Sequence, residues 1–109
     1  MALNVFKNIT HNVSQAGDLI YTAPAGFSSI VLMIQVTNIN NATATASLSL
    51  ISNDDSTETF LASEYEIPAK DVAGLLTGKL VLEQGQSIFI SGNDDSSLQL
   101  VMSILESQN

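Results

Sequence analysis

Residues 42–50 read Ala42-Thr43-Ala44-Thr45-Ala46-Ser47-Leu48-Ser49-Leu50, with every even position apolar and every odd one Ser or Thr. A pleated strand sends successive side chains to opposite faces, so this pattern is one buried face and one polar face. The alternation recurs at Leu98, Leu100, Met102 and Ile104, ahead of Glu106. Nearer the start, Ile30, Leu32, Ile34 and Val36 make one face. Val31 and Met33 make the opposite face partly apolar, which predicts a strand covered on both sides. Shorter strands are expected around residues 19–22, 59–67, 79–82 and 87–91.

Turn chemistry separates these runs. Ala23-Pro24-Ala25-Gly26, residues 38–41, Asn53-Asp54-Asp55-Ser56, Glu83-Gln84-Gly85-Gln86 and Gly92-Asn93-Asp94-Asp95 all carry residues that favour reversals. Gly supplies positive φ, and Asn or Asp can hydrogen-bond its own backbone two residues on. Residues 69–77 are expected to be loop, because Gly74 and Gly78 interrupt any helical turn there. About eight short strands so punctuated predict an all-β fold, a single antiparallel β-sandwich of jelly-roll type. Residues 13–109 form that domain, and residues 1–12 add an N-terminal arm or edge strand through Val5 and Ile9.

Composition narrows the function. A chain of 109 residues has room for one domain and, at 45% apolar residues, for a core that needs no covalent staples. No cysteine is present, so neither a disulfide framework nor a thiolate metal site can form, as suits folding in a reducing cytoplasm. Eleven acids face three lysines (Lys7, Lys70, Lys79) and no arginine, for a formal charge of −8. Three scattered lysines make no basic patch, which argues against nucleic acid and against an anionic membrane surface as partners. The first residues lack the apolar run of a secretory signal, and nowhere do about 18 apolar residues run together as a membrane span would require. The Asn-X-Ser/Thr triplets at Asn8, Asn12 and Asn41 are chance matches in a chain rich in these residues.

No catalytic or cofactor site assembles from what is left. His11, the single histidine, lacks a nucleophile and an orienting partner for general-base work, and lacks further His or Cys for zinc. It reads as a solvated edge-strand residue. The pairs Asp54-Asp55 and Asp94-Asp95 sit in repeated Asn-Asp-Asp-Ser strings. They have neither the alternating spacing nor the distal glutamate of a calcium loop, so β-turns with solvated charge are expected and no metal. Without tryptophan, and with only Tyr21 and Tyr65, a sugar platform has few residues to draw on. Phe6, Phe27, Phe60 and Phe89 read as core or subunit-contact residues.

The order of these motifs carries a resemblance. Tyr21-Thr22-Ala23-Pro24-Ala25-Gly26 leads into the apolar strand at residues 29–38. Then come Ile67-Pro68-Ala69, Gly78-Lys79-Leu80-Val81-Leu82-Glu83-Gln84-Gly85 and Ser103-Ile104-Leu105-Glu106. From Leu19 to Glu106 the chain resembles small β-sandwich virion structural proteins of tailed bacteriophages. It departs from their pattern at Gln86, where Asp often follows the turn glycine. The resemblance implies a non-enzymatic protein, made in the bacterial host cytoplasm and assembled on the virion. It would be a decoration or cement protein on the major capsid protein, with tail, neck or baseplate as the other station. A carbohydrate- or receptor-binding module, using loops with Tyr21, Tyr65 or the Asp pairs, is the reading from a different class. A small sandwich offers limited contact area, so a homo-oligomer, a trimer by preference, is expected to bind by avidity. The contact surface is expected at Leu3, Val5 and Phe6 of the arm and at Thr43, Thr45, Ser47 and Ser49 of the polar strand face.

Overall fold

Nine strands and no helix form among the described residues, which in this computed structural model are 4–54 and 56–108. In chain order they are β1 (Asn4–Asn12), β2 (Asp18–Thr22), β3 (Phe27–Asn38), β4 (Ala44–Ile51), β5 (Glu58–Ile67), β6 (Val72–Gly74), β7 (Leu80–Leu82), β8 (Ser87–Gly92) and β9 (Leu98–Gln108). Five of them make one sheet in the order β1-β9-β3-β6, with β7 also on β3, and the other four make a second sheet, β2-β8-β4-β5. Every pairing is antiparallel. The chain changes layer after β1, β2, β3, β5, β7 and β8, the winding of a jelly roll. The fold is therefore an all-β, two-sheet jelly roll, as the alternation predicts.

The core lies between the sheets. Leu98, Leu100, Met102 and Ile104 of β9 enter it from one side, Leu48 of β4 with Ile88 and Ile90 of β8 from the other. Leu50 packs against this cluster while staying partly exposed. On β3 the expected face is wrong for half its length. Val31 pairs with Ile104 but Met33 pairs with Ser103, so Leu32 is an extra residue in a β-bulge. One inserted residue flips the phase of everything beyond it. The inward set is thus Val31, Ile34 and Val36, while Ile30 and Met33 face outward.

A second correction falls on residues 69–77, which hold strand β6 rather than loop alone. Val72–Gly74 add three residues to the edge of β3, and Leu80–Leu82 continue the same edge after an excursion. Together they occupy one strand's place in the sheet.

The turns follow their signals. The Phe27 amide donates to the Pro24 carbonyl at 3.1 Å and the Gln86 amide to Glu83 at 3.0 Å. The third residues of these turns, Gly26 and Gly85, have φ of 82° and 85°, a conformation open to glycine without a Cβ penalty. At the other end, fully buried Asn38 donates from Nδ2 to the carbonyls of Ala42 (2.8 Å) and Ile67 (3.0 Å). Its side chain also accepts from the Asn40 amide at 3.0 Å. Three chain segments are tied by one amide. Asn38→Ala strands these groups, and urea unfolding should report a loss of roughly 1–2 kcal/mol.

Candidate functional site

Polar chemistry inside the sandwich is concentrated at Glu106, 4% exposed, on the inward face of β9. Its register partners are Val5 of β1 and Ser29 of β3. The Tyr21 hydroxyl, reaching from the opposite sheet, donates to Glu106 Oε2 and lies 2.7 Å from the Ser29 hydroxyl. Lys7 Nζ stands 3.0 Å from the other carboxylate oxygen. The Tyr21 hydrogen bond, helped by Lys7 and opposed by burial, holds the Glu106 carboxyl below its ordinary value. Burial, reinforced by the bond to Glu106, pushes the Tyr21 phenol up to about 12. Both groups are held in their pH 7 states and committed to each other. The cluster joins the two sheets, and its Ser29 hydroxyl and Glu106 carboxylate are buried.

His11 is not the solvated residue expected. It is half-buried, with Nε2 2.9 Å from Asp18 Oδ2, and Asp18 also accepts from the Ser14 hydroxyl at 3.0 Å. His11 first and Ser14 second hold the Asp18 carboxyl below its usual range. The pair joins β1 to β2 across the open side of the sandwich. Beside it, an open hollow of about 490 Å³ is lined by Thr10, His11, Asn12, Gln99, Leu100 and Val101. Its one titratable lining residue, His11, is already engaged by Asp18.

The acidic turns use their own carboxylates. Asp54 accepts from the hydroxyls of Ser52 (2.6 Å) and Ser56 (2.7 Å), which hold it at about 2. Asp94 accepts from the Ser97 hydroxyl at 2.6 Å and from the Ser96 amide at 3.0 Å, and is lowered likewise. The two turns lie at opposite ends of β4, so they share no site. Asp55 lies outside the described residues. Among the described residues no three His, Cys, Asp or Glu side chains gather as metal ligands would. Tyr21 and Tyr65 stand on β2 and β5, the two outer strands of one sheet and about 14 Å apart. They form no common platform.

The expected contact residues divide between two faces. Thr45 and Ser47 are half-buried on the outer face of the four-stranded sheet, with Thr43 exposed just before β4. Ser49 is 1% exposed, seated in register between Phe89 and Phe60, and its hydroxyl donates to Glu58 at 2.6 Å. It has no surface to offer. On the other sheet Phe6 is 74% exposed and faces outward, whereas Val5, its neighbour, turns to the inner side opposite Glu106. Leu3 lies outside the described residues. The described members of the two groups lie on opposite layers.

A cross-strand row around Phe6 is absent from the expected set. Phe6 pairs with Leu105, Leu105 with Ile30, and Ile30 with Val81, all with side chains on the outer face of the five-stranded sheet. The outward positions of β1, β9, β3, β6 and β7 carry no charged residue. The available signal was the apolar residues in the second phase of strands whose first phase fills the core.

No family model matches the sequence, and no curated protein does. The fold is found in solved structures. A chain from the Bacillus endospore appendages, which form disulfide-linked pili, aligns over 99% of this chain and 88% of its own length, with TM-score 0.59 and 8% identity. A chain from the acidic-stable capsid structure of Helicobacter pylori bacteriophage KHP30 aligns over 97% and 92%, with TM-score 0.54 and 12% identity. A chain of Sulfolobus Turreted Icosahedral Virus contains the whole fold in 30% of its length, with TM-score 0.56 and 12% identity. At these identities the likeness is one of fold.

Proposed function

We propose that this chain is a non-enzymatic structural protein of a tailed-phage virion, a decoration or cement protein that binds the head shell and stabilises it. The observation that carries the reading is a jelly roll whose outer sheet faces expose apolar side chains in cross-strand register, while its interior polar groups are satisfied by one another. Such a body is built to be covered by neighbours rather than to turn over a substrate. The motif order from Leu19 to Glu106 supports it, as does the fold's use in chains of two virus particles. The chain has no cysteine to link copies covalently, unlike the disulfide-linked pili that share its fold.

On this reading its partners are the major capsid protein and further copies of itself. A homo-oligomer, trimeric by preference, seated where several capsid subunits meet would multiply weak contacts. Assembly takes place in the bacterial host cytoplasm and the finished site is the virion. Imaging purified particles at subnanometre resolution should find the jelly roll in many copies on the head. Particles lacking it should lose DNA more readily on heating and osmotic shock. Equal resistance with and without the protein overturns the cement role, and density confined to the tail, neck or baseplate assigns it there instead.

A further inference from the structure

We infer that the outer face of the five-stranded sheet is covered by a second copy of this chain, with the row Phe6–Leu105–Ile30–Val81 at the centre of the contact. This deepens the proposed oligomer by naming the face that builds it, and it stands on observations independent of any particle.

Charge selects the occupant. Two copies of a chain with net charge −8 repel wherever their carboxylates are brought together. The four-stranded sheet carries Glu58 and Glu66 beside its outer apolar residues, and acidic turns stand at both ends of β4. The outward strand positions of the five-stranded sheet carry no charged side chain. Lys79 lines a hollow among them, Lys7 turns to Glu106 on the inner side, and the one carboxylate nearby is Asp95, in a hollow at the far end where Asn12 meets Gln99. Every contact between copies that avoids opposing carboxylates therefore uses this face on at least one side. A basic partner, by contrast, would be drawn to the acidic surfaces and not to this one.

Area and strand edges agree. Four strand positions about 4.8 Å apart, with nine residues along β1 at about 3.4 Å each, span roughly 600 Å² in projection. That approaches the roughly 800 Å² that each partner contributes to a stable interface. The open edge next to this face is also the longest in unbroken register. Strand β2 has a register shift, β5 has two and holds Glu64 at φ 46°, and the β6–β7 edge is broken into three-residue pieces. Strand β1 runs nine residues in unbroken register with Phe6 projecting 74% exposed. Natural proteins blunt such edges unless something pairs with or covers them.

The test uses the full chain in solution. Light scattering after size exclusion should give an oligomer for the unmodified protein. Phe6→Glu with Val81→Glu, both at exposed positions, should weaken association at least tenfold with the circular dichroism spectrum unchanged and melting lowered only by the lost association. Phe60→Glu, on the opposite sheet and 55% exposed, should leave the oligomer intact. As a readout that needs no destabilising change, Phe6→Cys gives the chain a single thiol for a spin label, and dipolar coupling between copies should appear. A monomer at millimolar concentration, or an oligomer dissolved by Phe60→Glu but not by the double variant, overturns the inference. A monomer that still decorates particles would sink this inference alone. An oligomer joined through this face but missing from particles would sink the virion role alone.

Discussion

Leu100→Ala is expected to lower the unfolding free energy by about 2–5 kcal/mol, the largest single effect we foresee. Leu100 is the third residue of β9, with Val36 of β3 and His11 of β1 as its register partners, and only 1% of it is exposed. Strand β9 is paired on both sides, so the surrounding backbone cannot collapse freely onto the missing methyl groups. The cost therefore includes both lost transfer energy and a residual cavity. Urea unfolding should show a lower midpoint at unchanged slope, which separates lost stability from a change in the unfolded ensemble.

Tyr21→Phe should cost about 1.5–3 kcal/mol at pH 7, because a buried carboxylate loses a charge-assisted hydrogen bond. The pH dependence of this variant distinguishes it from a packing defect. The Glu106 pKa is depressed in the folded chain, so its contribution is fully present above the unfolded carboxyl value and is lost as pH falls through the folded one. Removing the hydroxyl removes the largest cause of that depression, so the deficit against the unmodified protein should shrink as the solution is acidified. At the alkaline end the sign reverses. The folded Tyr21 phenol is raised from 10.0 to about 12, so its contribution holds below the unfolded value and falls away as pH rises through the folded one. The phenylalanine variant should lack that alkaline decline. A deficit constant from pH 3 to pH 11 would show that the hydrogen bond is not what stabilises.

The architecture was legible where one residue type repeats at one period. Ala44, Ala46 and Leu48 of β4 and Leu98, Leu100, Met102 and Ile104 of β9 lie inside as the alternation demands, and Gly26 and Gly85 mark turns that require them. What escaped has a common physical origin. A bulge such as that at Leu32 inserts a residue without any distinctive side chain, yet it reverses which of its neighbours are inside. Strand β6 is only three residues long, and its pairing rests on backbone groups that every sequence possesses. The contact residues fared the same way. Phe6 is exposed as expected, but Ser49 is sealed by aromatic residues that arrive from other strands, and Val5 turns inward. The row joining Phe6, Leu105, Ile30 and Val81 exists only once register is set, as does the bond from Tyr21 to Glu106 across 85 positions. Single-strand periodicity reports which face is apolar. It does not report which residues will stand side by side.

The place of β9 between β1 and β3 bears on how the molecule comes to be. During synthesis the first strand and the third leave the ribosome long before the strand that must slot between them, and Asn4 waits for Ser107. Until then the five-stranded layer has a gap at its centre, and the backbone groups bordering it are satisfied by water alone. Closure over such sequence separations is slow, on the order of milliseconds to seconds for comparable β topologies. The five-stranded layer therefore cannot close over its apolar side until the last strand is made, and like charge on a chain of net charge −8 opposes association between copies in that interval.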